Sequence, residues 1–244
     1  MRRGLESPQL TLERLLAPRG RGGKRAGAGR KRTSTTVPHT PRAAFAARFP
    51  QHVTLRLVPG IQLRTPALLA IVHAVIATSH RDDVRITDFN CESNHMHLVV
   101  EANGRVALGR GIQRFKSRLA RRINRALGRR GALFADRYHA RSLRTPREVR
   151  HVLRYVRNNA RHHAADRGRA IDPAWFDPFS SAPWFTGWSA PLEPYSGWTY
   201  ELLRRPSPVA EPTVWLLTVG WRRHGLIDPG EVPGRRAQRE PLRT

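Results

Sequence analysis

The sequence contains little cysteine, little lysine and little negative charge. Cys91 is the only cysteine among 244 residues, which excludes an intrachain disulfide framework and any cysteine-rich zinc module. No segment approaches the roughly 18 consecutive apolar residues of a membrane-spanning helix. The arginine-rich N-terminus also lacks the apolar core of a secretory signal peptide. These absences predict a soluble cytoplasmic protein without a membrane partner.

Positively charged residues greatly outnumber negatively charged ones. The chain has 44 Lys and Arg residues against 18 Asp and Glu, which gives a formal net charge of +26. Such a charge attracts polyanions, so nucleic acid is the expected partner, although ribosomal and membrane-surface proteins share this bias. Only three of the basic residues are lysines. The preference for arginine suits phosphate contacts, and genome base composition would explain it equally well.

Composition divides the chain into three parts. Residues 1–48 are rich in Gly and Arg and predict a disordered basic arm, or a tail that binds nothing specific. Residues 49–163 carry readable periodicities and predict the folded domain. Residues 164–244 form a Trp- and Pro-rich extension with one short helix predicted within 213–227, ending near Gly225. The aromatic rings of 173–188 would stack on bases or, as we favour, pack onto the core.

The middle part predicts an α+β domain. Apolar alternation indicates strands over 52–58, 84–92, 95–102 and 137–143, and helical periodicity indicates helices from 65 and over 106–129. A last helix begins at a capping box, Thr145-Pro146-Arg147-Glu148. The order βαββαβ is the ferredoxin-like arrangement, an antiparallel sheet with helices on one face, followed here by an additional helix.

Two histidines stand two positions apart on the third predicted strand. His95 and His97 would project from one face with Cα atoms roughly 7 Å apart, where two imidazoles can chelate one metal ion. An isolated His-x-His pair is more often two polar residues on a half-exposed face. Glu101 lies on the same face and is expected either behind the histidines or, more commonly, at a solvated strand end.

The long helix predicted over 106–129 is strongly cationic. Residues 105–130 include ten basic residues and no acidic one. A phosphate backbone is the expected partner, and a membrane surface is less favoured because the apolar stripe is needed to cover the sheet. The candidate DNA contacts are Arg110, Arg114, Lys116, Arg118, Arg121, Arg122 and, before the fourth strand, Arg137.

The last helix carries a tyrosine and an asparagine one turn apart. Its apolar stripe runs along Val149, Val152 and Val156, and Tyr155 and Asn159 are expected side by side at the edge of that stripe. A tyrosine in such a place is more often a boundary residue with a hydrated hydroxyl than a nucleophile.

Three segments together resemble the HUH-type single-tyrosine transposases, the IS200-like group, and most of all the REP-associated branch. They are Asn94-His-Met-His-Leu-Val-Val-Glu101, Leu133-Phe-Ala-Asp-Arg-Tyr-His139 and Leu153-Arg-Tyr-Val-Arg-Asn-Asn159. The resemblance implies that Tyr155 is the nucleophile and that His95, His97 and Asn159 bind a metal. Some relatives have glutamine in place of Asn159. Imidazole ligands alone suit zinc or manganese, whereas the resemblance implies Mg²⁺ or Mn²⁺.

The expected protein is therefore a metal-dependent endonuclease and strand transferase acting on single-stranded, hairpin-bearing DNA through a 5′-phosphotyrosine. We expect a homodimer at the bacterial nucleoid that uses no small-molecule cofactor; whether each tyrosine serves its own subunit stays open. One alternative is a catalytically retired DNA-binding protein. Another, an RNA-binding ferredoxin-like module, would present paired aromatics where this sheet presents imidazoles.

Overall fold

A computed structural model describes residues 42–234, so most of the predicted basic arm lies outside the described residues. The strands are β1 (Gln51–Arg56), β2 (Val84–Cys91), β3 (His95–Ala102) and β4 (His139–Ser142). The helices are α1 (Pro66–Ala77), α2 (Arg105–Ala126), α3 (Pro146–Asp166), α4 (Gly197–Arg204) and α5 (Trp215–Thr218). Short 3₁₀ turns span Ala182–Trp184 and Gly220–His224.

The four strands form one sheet in the order β2-β3-β1-β4, and every neighbouring pair is antiparallel. This order confirms the predicted ferredoxin-like βαββαβ fold. Two helices begin with the N-terminal caps that the sequence predicts. Thr65 accepts a hydrogen bond from the Leu68 amide, and Thr145 and Glu148 form the predicted capping box.

The two faces of the sheet are covered by different helices. Met96, Leu98 and Val100 enter the core beneath α1 and α2. Val99, one position away from Leu98, faces the other side and packs with Val152 of α3. The odd-numbered residues of β3 therefore face the tyrosine helix, and α1 and α2 share the opposite face.

A β-bulge changes which side chains of β2 face α3. Ile86 lies opposite Val100 and Asp88 lies opposite Val99, so the strand contains one extra residue at this point. Beyond the bulge, Asp88 and Asn90 project towards α3.

The C-terminal extension differs in part from its prediction. In place of one helix within 213–227, α5 ends at Thr218 and a 3₁₀ turn comes next. The 3₁₀ turn begins at Gly220. A Cβ atom added at this position would lie 2.7 Å from the Trp215 ring, so the close packing of that ring favours glycine.

Packing of the aromatics of 173–188 is confirmed at Phe176, which is 2% exposed, and at Phe179 and Trp184, which pack against the main core. Of the later tryptophans, Trp221 is 1% exposed and Trp215 is 46% exposed. In the described part of the chain, no helix has the length and apolar character needed to cross a membrane.

Candidate active site

His95 and His97 meet at their outer ring nitrogens. The two Nε2 atoms are 2.9 Å apart, and the rings lie edge to face with centroids 4.6 Å apart. Two imidazole nitrogens that bind one divalent ion at right angles, each at about 2.1 Å, are themselves about 3 Å apart. The predicted convergence of these histidines is therefore present with the spacing of a chelating pair.

The inner nitrogens of both rings are held by neighbours. His95 Nδ1 lies 2.6 Å from Asn94 Oδ1, and His97 Nδ1 lies 3.1 Å from His52 Nε2. Thr54 Oγ1 is 3.4 Å from the same His97 nitrogen. These contacts leave the Nε2 lone pairs for a ligand, which is how protein metal sites commonly orient histidine. The sequence alone does not point to His52. It reaches His97 only because β1 pairs with β3 in a register that places His52 opposite Val99.

The site keeps these imidazoles neutral. Burial lowers the pKa of His97 to about 2 and that of His52 to about 4. Burial, followed by the charge of His163, also lowers the pKa of His95. Neutral imidazole is the form that binds metals, so the site requires no proton release from these rings at neutral pH.

Tyr155 projects from α3 of the same chain onto this pair. Its hydroxyl lies 3.4 Å from His97 Nε2, and the ring centroids are 5.1 Å apart. Burial, and then the charge of Glu92, raises the pKa of the Tyr155 hydroxyl, while a hydrogen bond with Asn159 opposes this rise. A nearby positive charge is what would stabilise the phenolate in such surroundings.

Asn159, predicted beside Tyr155 at the edge of the apolar stripe, interacts with Tyr155 but is fully buried. Between these two residues α3 is irregular, because Asn158 has non-helical dihedrals, φ −106° and ψ 17°. The Asn159 Nδ2 donates to Glu92 Oε1 at 2.9 Å. Its Oδ1 is buried and has no hydrogen-bond partner among the described residues.

This donor set fits the expected metal. Among residues 42–234 no three His, Cys, Asp or Glu side chains are grouped to hold an ion, so the pair His95 and His97 would need a ligand of another kind. The unpartnered Asn159 carbonyl oxygen is such a group. Two imidazoles, one amide oxygen and phosphate oxygens form a set that Mg²⁺ or Mn²⁺ accepts.

Comparison with known proteins adds a family likeness for part of the chain. Residues 64–159, which include His95, His97, Tyr155 and Asn159, match the family model of IS200-like transposases. This part of the chain is similar to that family. The chain is also similar to a solved REP-associated tyrosine transposase bound to a REP hairpin, with a TM-score of 0.45 and 17% identity over 59% of this chain and 82% of that one. No curated protein matches the chain.

Two buried carboxylates near the candidate site were not anticipated there from the sequence. Glu92, which comes directly after β2, is buried beside Asn159, and its Oε2 lies 3.9 Å from His163 Nε2. No periodicity signals this residue. Glu101 was expected more often at a solvated strand end, and that expectation is wrong: Glu101 is 3% exposed because the C-terminal extension covers it. It accepts hydrogen bonds from Arg85 and from the backbone amides of Thr213 and Val214.

The cationic helix lies on the face of the sheet opposite Tyr155. Its residues Arg110, Arg114, Arg121 and Arg122 are exposed. Lys116 donates to the Asp136 carbonyl at 2.8 Å, and Arg118 donates to the Thr78 carbonyl at 2.7 Å, so both also tie α2 to neighbouring segments.

Three of the predicted DNA contacts, Arg110, Lys116 and Arg137, line one groove of about 520 Å³. Of its lining residues that the structure describes, none is acidic; they include Arg42, Arg105, Arg110, Lys116, Arg137 and Tyr138. The Arg42 guanidinium stacks 3.6 Å from the centroid of the Tyr138 ring. The edge strand β4 begins beside this groove and carries Arg141 opposite His52, so positive charge continues towards the histidines.

Proposed function

We propose that this protein is a metal-dependent single-strand DNA endonuclease and strand transferase that uses Tyr155 as its nucleophile. The observation that carries the proposal is the 3.4 Å approach of the Tyr155 hydroxyl to His97 Nε2, at the point where His95 Nε2 also arrives.

The reaction is a transesterification. The Tyr155 oxygen attacks the scissile phosphorus, the bond to the 3′-oxygen breaks, and a 5′-phosphotyrosine and a free 3′-OH result. Attack by another 3′-OH on the phosphotyrosine joins strands and releases the tyrosine, so no ATP is needed. Mg²⁺ or Mn²⁺ held by His95, His97 and Asn159 would polarise the phosphate and stabilise developing negative charge.

The chain's own residues prepare this chemistry. His52 and Asn94 fix the histidine rings, and the raised pKa of Tyr155 keeps its hydroxyl protonated until the charge around it changes. The cationic groove on the far side of β4 offers phosphate contacts for the strand that leads to the site. The motif resemblance favours hairpin-bearing DNA as substrate and a homodimer as the acting species.

A covalent-adduct assay tests the nucleophile. The protein is incubated with Mn²⁺ or Mg²⁺ and labelled single-stranded oligonucleotides from its own flanking DNA, and adducts are resolved on a denaturing gel. We expect an adduct that is lost in Tyr155→Phe, in His95→Ala/His97→Ala and with EDTA, and retained in the control Tyr200→Phe, an exposed tyrosine of α4. An adduct that survives Tyr155→Phe contradicts the assignment. Tight hairpin binding without any adduct would instead support the binding-protein alternative.

The groove has a separate test. Arg110→Ala should weaken single-strand binding and reduce the slope of log K against log salt by about 0.7, the value for one lost phosphate contact. Arg122→Ala is the matched control, since Arg122 is exposed on the same helix and does not line the groove. Equal losses from both variants would show that the helix acts only through its total charge.

A further inference from the structure

Residues 213–231 of the extension, here called the C-terminal clasp, accept hydrogen bonds from two arginines of α3. Glu231 accepts hydrogen bonds from both guanidinium groups of Arg150 and Arg154. Arg150 also donates to the carbonyls of Gly225 and Leu226 at 2.9 and 2.8 Å. These two arginines lie on the turns of α3 before and beside Tyr155. Glu231 of the clasp therefore forms ion pairs with two arginines of α3, the helix that carries Tyr155.

The clasp also holds the break in that helix. Asn158, the residue with non-helical dihedrals, donates its Nδ2 to the backbone carbonyls of Asp228 and Glu231 at 3.2 and 2.9 Å. The break lies between Tyr155 and Asn159 in sequence. Any loss of these contacts allows the end of α3 to return to regular helix, which would rotate Asn159 relative to Tyr155.

The other end of the clasp is fixed to the histidine strand. Glu101 of β3 accepts from the amides of Thr213 and Val214, each at 2.8 Å. Between the two ends, Trp221 is buried in one cluster with Val99 of β3 and Val152 of α3. The clasp thus contacts the tyrosine helix through residues 225–231 and the histidine strand through residues 213–214. Between these two ends it packs against both elements in a shared core.

We propose that the C-terminal clasp fixes the tyrosine helix on the sheet and that Glu231 is a positioning residue for Tyr155. The inference rests on the proposed nuclease function and adds to it a residue outside the candidate site that sets the position of the nucleophile. Without the carboxylate, Arg150 and Arg154 lose their shared partner, and only backbone carbonyls of the clasp still accept hydrogen bonds from Arg150 and Asn158 of α3. A misplacement of the nucleophile of about 1 Å is enough to cost about a hundredfold in rate.

The positioning role is tested with Glu231→Gln, Glu231→Asp and Glu211→Gln, the last being an exposed acidic residue of the same extension. We expect Glu231→Gln to slow single-turnover adduct formation about tenfold to a hundredfold with unchanged DNA affinity. Glu231→Asp should recover part of the rate, and Glu211→Gln should match wild type. Unchanged rates in Glu231→Gln would overturn the role.

Hydrogen exchange separates this inference from the nuclease proposal. Glu231→Gln should accelerate amide exchange in α3 around Asn158, whereas Glu211→Gln should not. If wild type forms no adduct but exchange around Asn158 rises as expected, the clasp stands and the proposed function fails. If wild type forms an adduct and Glu231→Gln changes neither rate nor exchange, the clasp fails and the nuclease stands.

Discussion

The side-chain amide nitrogen of Asn159 donates a hydrogen bond to Glu92 Oε1 at 2.9 Å. With the amide held in this orientation, the Asn159 carbonyl oxygen is buried and has no hydrogen-bond partner among the described residues. Native proteins rarely leave such an atom unsatisfied, and a functional site is a common reason when they do. In the proposed metal site, this pairing would leave oxygen rather than nitrogen of Asn159 for the ion. Glu92 would then act on the site through Asn159.

Removing the carboxylate should release this amide. In Glu92→Ala, Asn159 loses its fixed acceptor, and we expect the affinity of the full chain for Mn²⁺ to fall about 10- to 100-fold, the usual effect of losing a group that orients a ligand. Glu92→Gln retains an accepting oxygen and should keep most of the affinity. Titration monitored by the EPR signal of free Mn²⁺ measures both. Equal affinity in all three proteins would contradict the role of Glu92.

His52 should act on the site through His97. His52→Phe keeps a ring of similar shape and removes the nitrogen that lies 3.1 Å from His97 Nδ1. We expect Mn²⁺ affinity to fall about tenfold or more, because the His97 ring and its tautomer lose their partner. His151→Phe, on an exposed part of α3, is the control. A drop in thermal stability without any change in affinity would assign His52 to packing alone.

The features that the sequence could predict were local. Alternation placed His95 and His97 on one face, and Thr145 with Glu148 indicated the start of α3, because these patterns depend on a few adjacent residues. His52 depends on the pairing of strands 45 residues apart in sequence. The positions of Asp88 and Asn159 depend on a bulge and on a helix break held by Asn158, and neither irregularity has a periodic signal. The cationic character of α2 was readable, but its placement opposite Tyr155 results only from the assembled sheet.

The buried pair of Asp88 and Arg157 should be costly to break and cheap to replace. Both side chains are 4% exposed and form an ion pair, with the guanidinium also 3.4 Å from the centroid of Phe185. Burial raises the pKa of Asp88 and lowers that of Arg157 to about 10, so desolvation outweighs the attraction for each. Asp88→Ala should cost about 3–5 kcal/mol, because it leaves a buried charge. Urea unfolding of Asp88→Ala/Arg157→Met should show recovery of most of this loss; a double variant as unstable as Asp88→Ala would refute the argument.

His73 should make folding stability depend on pH. Its ring packs edge to face against Phe89 and Trp184, and its Nε2 is buried with no partner among the described residues. Burial, and then the charge of Arg205, lowers the pKa of His73 to about 4. Below the unfolded-state pKa of about 6.5 the unfolded chain binds a proton that the folded chain refuses, so stability falls as pH falls.

Between pH 7 and pH 5 this residue should account for about 1 to 2 kcal/mol of lost stability. Thermal or urea unfolding at both pH values should therefore show a smaller decline in His73→Phe than in wild type, and an unchanged decline in His224→Phe, whose ring is exposed. A His73→Phe protein with the full wild-type decline would place the effect elsewhere, among the other buried histidines.

Two glycines of α2 should respond oppositely to alanine. Glycine inside a helix costs about 1 kcal/mol relative to alanine, so helix propensity alone predicts that both changes stabilise the protein. At Gly109 the nearest atom to an added Cβ is the Tyr138 hydroxyl oxygen at 3.8 Å, an ordinary contact. At Gly111 the Cβ would lie 2.8 and 2.9 Å from the two methyl groups of Val84 on β2.

Packing should outweigh propensity at Gly111, because Val84 is buried and its branched side chain has few other rotamers open to it. We expect Gly111→Ala to destabilise the domain by about 1–3 kcal/mol, the usual cost of an added carbon in a close-packed core, and Gly109→Ala to stabilise it by about 0.5–1 kcal/mol. Val84→Ala should relieve the clash, so Gly111→Ala should cost less in that background than in wild type. If the cost were the same in both backgrounds, it would not arise from Val84, and the close approach of α2 to β2 would not explain the glycine.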